Sequence, residues 1–222
     1  MNYLLLFLSV AVGYLVALFL KKKELRNMEV FLAFSGAFLL SITVFELIPE
    51  VYETPSKSIG VYIMLGILLQ IFLEFFSKGA EHGHVHIHSE NKNFPWLLFL
   101  SLCIHAFMEG FPISEENNLL VGIIVHKIPV AIILSFFFIT AGYKRHITLI
   151  FLFFFAIMTP IGNFISNNYE MVHQYETQIE AVVIGIFLHV STTILFESSK
   201  NHKFNLTKMS AILIAVLAAY FI

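Results

Sequence analysis

The sequence predicts an all-α polytopic membrane protein, a single bundle of eight transmembrane helices with both termini outside. Three observations carry that expectation. Of the 222 residues, 58% are hydrophobic and 13% charged, with a mean hydropathy of +0.83; soluble domains run near ~45–50% apolar and ~25% charged. The apolar residues gather into eight segments parted by short polar stretches. A spanning helix takes ~20 residues, so eight use ~160 and leave no length for a large soluble domain. Third, lysine and arginine fall on one side of the chain's alternation. Residues 1–222 therefore read as one transmembrane domain, with 78–93 as a loop within it.

The first segment, Tyr3–Leu20, is followed rather than preceded by positive charge (Lys21, Lys22, Lys23, Arg26). That order is the reverse of a signal peptide, and predicts a retained helix with its N-terminus outside. The second, Val30–Leu47, carries Glu46 near its outer end. The third, Ile59–Phe76, places Gln70 and Glu74 on one face near its inner end, as packing polar groups. The fourth and fifth, Phe94–Ile113 and Leu119–Ala141, contain ionisable residues. The sixth is Ile147–Ile165, the seventh Ile179–Phe196 with His189 at mid-span, and the eighth the shorter Met209–Ile222. Gly13, Gly36, Gly60, Gly66, Gly122, Gly162 and Gly185 allow the close backbone crossings that membrane bundles need. The 25 phenylalanines suit lipid-facing packing.

With the N-terminus outside, inner loops hold Lys21, Lys22, Lys23, Arg26, Lys78, Lys92, Lys144, Arg145, Lys200, Lys203 and Lys208, and outer loops hold Lys57 alone. Eleven against one is a strong positive-inside bias. Glu50, Glu53, Glu115, Glu116, Glu170 and Glu176 lie outside, either as solvated loop charges or as a weak funnel for cations. The net charge of −2 offers no basic field to attract nucleic acid. The one cysteine, Cys103, cannot form an intrachain disulfide.

Between segments three and four runs Glu81-His82-Gly83-His84-Val85-His86-Ile87-His88-Ser89-Glu90. Neutral imidazole is a good ligand for zinc-like ions, and period-two spacing puts His82, His84, His86 and His88 on one side of an extended chain. The tract points to metal handling; the plainer alternative is a polar linker.

Ionisable residues inside spans are costly and are functional candidates by default. His105 and Glu109 are four apart and share a helix face. His126 and Lys127 lie in the fifth segment, which runs the opposite way, so both segments can meet near one depth. Two imidazoles and a carboxylate suit Zn²⁺ or Fe²⁺. Pro129, just beyond, frees a backbone carbonyl, and irregular backbone at that depth is tolerated where it is buried or lines a cavity. The alternative is a set of hydrogen bonds that hold a bundle together. His189 either lines the path or bonds to a neighbouring helix.

These residues resemble the ZIP family (Zrt- and Irt-like proteins) of divalent metal transporters. The resemblance rests on His105 through Gly110 as His-x-x-x-Glu-Gly, and on His126 through Pro129 as His-x-x-Pro. It also rests on Glu46-Leu47-Ile48-Pro49-Glu50 after a Gly36-led stretch, Thr159-Pro160-Ile161-Gly162, and the His-rich inner loop. It implies an eight-helix bundle with metal at His105, Glu109 and His126, and a role for Glu46 with Glu50 and Glu53 as an entrance relay. Where many bacterial members carry ligands for a second ion, this sequence has Ala106, Lys127, Val130 and Thr159. One ion is therefore expected, with Lys127 supplying the charge of the second.

The expected function is uptake of zinc, or else iron or manganese, across the cell (inner) membrane toward the cytoplasm, with the ion as substrate and no resident cofactor. Cadmium is a further candidate ion. The expected partners are that ion, the lipid bilayer and a second copy of the chain as a homodimer. An intramembrane zinc-dependent hydrolase with a permanently bound metal is the alternative, although nothing resembles His-Glu-x-x-His. Exporters of the cation-diffusion type carry fewer spans and a C-terminal soluble domain, a poorer match.

Overall fold

The computed structural model describes residues 2–20, 28–53, 56–77, 79, 94–114, 117–197 and 206–222. The His82–His88 tract, the rest of its loop except Gly79, and the Lys21–Arg26 cluster lie outside the described residues. Among the described residues every regular element is helical. The main helices are α1 (Asn2–Phe19), α2 (Met28–Val51), α3 (Lys57–Ser77), α4 (Trp96–Met108), α5 (Leu119–Thr140), α6 (Arg145–Asn168), α7 (Glu176–Glu197) and α8 (Leu206–Tyr220). Each falls on one of the apolar segments, with its ends displaced by a few residues. Helices α2, α3, α5, α6 and α7 are long and apolar enough to cross a membrane; α1, α4 and α8 are equally apolar but shorter.

Two apolar cores organise the bundle. One is built mainly from α1, α4, α5 and α6: Val10 and Tyr14 pack with Leu102, Ala106, Leu134, Phe138, Phe151 and Phe155. The other draws mainly on α2, α3, α7 and α8, through Phe38, Leu39, Ile59, Ile184, Phe187 and Ala215. Phenylalanine serves both environments. Phe19, Phe75 and Phe196 project outward, while Phe138, Phe151 and Phe187 are fully buried.

Two departures from regular helix shape the region of interest. The fourth segment, expected as a helix over Phe94–Ile113, stops at Met108, and residues 109–112 form a turn. Gly110 is a poor helix former, and Pro112 lacks a backbone donor and disfavours helical geometry at Phe111. The freed carbonyls are met from elsewhere. The Thr159 hydroxyl lies 2.7 Å from Ala106 O, Asn163 Nδ2 donates to Ile113 O at 2.7 Å, and Asn117 Nδ2 donates to Pro112 O at 2.8 Å. A Cβ at Gly162 would overlap the Phe107 carbonyl, and one at Gly110 would overlap that of Thr159. Glycine on both sides lets α6 lie directly on the end of α4.

The second departure is a π-helical turn over Thr43–Leu47 within α2. Pro49 explains it: an α-helix would drive the proline ring into the carbonyl four residues earlier, and a widened turn relieves that clash. Thr43 Oγ1 donates to Leu39 O at 2.8 Å. Glu46 is carried on this turn.

Candidate metal centre

Helix α4 supplies His105 in its last turn and Glu109 at its C-cap. The sequence places His105 near mid-span; the early stop at Gly110 puts it one turn from the helix end. The backbone still runs helically through Glu109, whose N–H donates to His105 O at 3.1 Å. The shared face therefore survives, with His105 Nε2 3.6 Å from Glu109 Oε2. Helix α5 brings His126 and Lys127, and Pro129 in the next half-turn removes the usual donor to the Val125 carbonyl. His105, Glu109, His126 and Lys127 are each 3% exposed or less.

Together with Leu102, Val130 and Phe155 these four line one void, too narrow for a water molecule. Lys127 Nζ forms an ion pair directly with Glu109 Oε1, and the same nitrogen stands 4.4 Å from the centre of the Phe155 ring. The Thr159 hydroxyl is 2.8 Å from that same Oε1. One carboxylate oxygen thus faces the ammonium and the Thr159 hydroxyl, whose single proton is shared with Ala106 O, and the other faces His105. A buried carboxylate needs such partners, because desolvating an unpaired charge costs several kcal/mol. Among the described residues, no three His, Cys, Asp or Glu side chains are gathered at metal-holding distances. The cluster is closed on Lys127.

The other sequence-derived candidates lie elsewhere. Glu46 accepts from Asn118 N at 2.8 Å and Asn118 Nδ2 at 3.0 Å. It thereby serves the amino end of α5, where helix-terminal N–H groups favour an anion. At 1.5 Å rise per residue that is ~12 Å along α5 from His126. His189 Nε2 contacts Glu74 Oε2 at 2.5 Å, with both side chains partly exposed. His189 thus bonds to the neighbouring helix α3.

Several partners escaped the sequence reading. Gln70 Oε1 lies 3.1 Å from His105 Nδ1. Glu74, one turn along α3, meets His189. Glu180 sits half-buried just past the first turn of α7, within electrostatic range of Glu50 and Glu176. Polar residues inside an apolar helix were the available signal for Gln70 and Glu74. Their partners were not legible, because helix adjacency has no local sequence mark.

The fold and this centre define a multi-pass helical membrane protein with a buried cluster of ionisable side chains where two apolar helices meet. No family model matches the chain. In sequence it is similar to Protein zntD of Dictyostelium discoideum, 23% identical over 150 residues that take in 58% of this chain and 22% of that protein. It is also similar to Zinc transporter ZIP1 of Danio rerio, 26% identical over 123 residues that take in 50% of this chain and 41% of that protein. The matched stretches span less than half the length of either relative. The ZIP resemblance drawn from the motifs is supported by this similarity.

Proposed function

We propose that the chain transports a divalent transition metal, zinc first and iron or manganese as alternatives, toward the cytoplasm. In this reading the eight helices span the cell (inner) membrane with both termini outside, and His105, Glu109 and His126 bind the ion. The observation that carries it is the one buried void that those three side chains line together with Lys127 inside an apolar bundle. Zinc is also the ion named for the relative from Danio rerio.

The chemistry follows from who holds the carboxylate. Lys127 neutralises Glu109 between passages, so that no bare charge is left in a dry site. An arriving ion competes for Glu109 and recruits imidazole nitrogen from His105 and His126, a donor set suited to Zn²⁺. The displaced ammonium retains the Phe155 ring, whose face attracts cations. Lys127 thereby fills the place of a second ion. Glu46, Glu50 and Glu53 lie toward the outer end in this topology, and His189 with Glu74 toward the inner one, where the ion leaves. The intramembrane hydrolase draws no support from the similarity to a zinc transporter.

Uptake of radioactive zinc into proteoliposomes, with iron, manganese and cadmium as competitors, tests this function. Saturable zinc entry suppressed by at least one competitor is expected; entry no faster than in empty liposomes would refute transport.

The His82–His88 tract is assigned to capture on the inner side, outside the membrane barrier. Deleting Glu81–Glu90 should leave zinc uptake measurable at saturating metal, with a changed apparent affinity. Complete loss of uptake in a deletion that still inserts would make the tract part of the permeation path.

A further inference from the structure

Gln70 is fully buried in the apolar helix α3, where a side-chain amide is costly unless hydrogen-bonded. It belongs to neither signature motif. Its carbonyl oxygen lies 3.1 Å from Nδ1 of His105, and the opposite ring nitrogen, Nε2, points to Glu109, 3.6 Å from Oε2. A neutral imidazole has one donor nitrogen and one acceptor nitrogen, and the partner at one fixes the other. We infer that Gln70 is a positioning residue for metal binding: by accepting the Nδ1 proton of His105 it leaves the Nε2 lone pair facing the cluster. This inference rests on the proposed role of His105.

The physical gain is twofold. Without an acceptor at Nδ1 the proton can sit on Nε2, where an ion would have to bind. An acceptor also raises the basicity of the ligating nitrogen and holds the ring plane, and such outer partners are commonly worth ~10–100-fold in metal affinity or activity. The contact crosses between helices of different cores. The orientation of His105 therefore depends on how α3 is seated against α4.

The first test reads the metal-free full chain in lipid bilayers by ¹⁵N magnetic resonance, with the His105 signals assigned by their loss in His105→Ala. Protonated Nδ1 and unprotonated Nε2 are expected in the unmodified protein, and a tautomer mixture in Gln70→Leu. A proton on Nε2 in the unmodified protein would overturn the inference. The second test is zinc uptake at matched membrane abundance. Gln70→Leu should raise KM about tenfold or more, while Gln70→Glu, which keeps an acceptor, should stay within about threefold of the unmodified protein. If His105→Ala abolishes uptake and Gln70→Leu keeps its KM, Gln70 has no positioning role and the metal site stands. Normal uptake by His105→Ala would instead remove the site itself, and this inference with it.

Discussion

Glu109→Gln should abolish zinc uptake while the protein reaches the membrane at normal abundance. Glutamine preserves the shape of the side chain and an oxygen for Thr159 and Lys127, so the packing of α4 on α6 is kept while the anionic ligand and the counter-charge of Lys127 are lost. Glu109→Ala is a poorer probe, because it also takes away the oxygen that faces Lys127 and Thr159 and leaves a void in the core. The deficit should exceed the ~10–100-fold typical of outer-shell losses, since a first ligand is removed from a three-ligand set. His105→Ala should match it. Radioactive zinc uptake normalised to membrane protein checks both, and a normal rate in either variant would sink the proposed site.

Lys127→Met should uncouple the stability of the protein from its affinity for metal. It leaves the Glu109 carboxylate buried with no cation, the situation in which breaking a buried ion pair costs about 3–5 kcal/mol. The melting temperature of the metal-free protein should therefore fall by several degrees. Zinc should then restore more stability than it adds to the unmodified protein, because the ion no longer competes with an ammonium. Thermal unfolding with zinc and with chelator reads both quantities. Metal counting by anomalous scattering should find one ion between α4 and α5 in the unmodified protein. The pair Lys127→Asp with Ala106→Asn should admit a second. Two ions beside an intact Lys127, or a zinc effect no larger in Lys127→Met, would remove the lysine from its assigned role.

Much of this was legible in the chain. Apolar runs marked the helices because lipid demands continuous hydrophobicity. The spacing of His105 and Glu109 marked a shared face because helix periodicity is local. What stayed hidden depends on neighbours in space. Thr159 read as a lost ligand, yet it bonds Glu109 because Gly110 and Gly162 let α6 come close. The bond of Glu46 to Asn118 was hidden too, since it is set by a π-helical turn whose cause, Pro49, lies three residues further on. The early end of α4 was written in Gly110 and Pro112, but hydropathy runs straight across both.

The Lys127–Glu109 pair also sets how transport would feel a voltage. A site whose carboxylate is already cancelled by a tethered ammonium has no fixed charge to set against an ion bound by neutral imidazoles. The occupied centre then carries the full double charge of its cargo. Each elementary charge crossing a membrane is worth about 2.3 kcal/mol per 100 mV, so inward movement of one such ion gains about 4.6 kcal/mol at an inside-negative 100 mV. In the proposed transport the electrical charge thus moves with the loaded centre, the lysine–glutamate pair leaves the empty centre neutral, and each passage is a net current driven by the membrane's own potential.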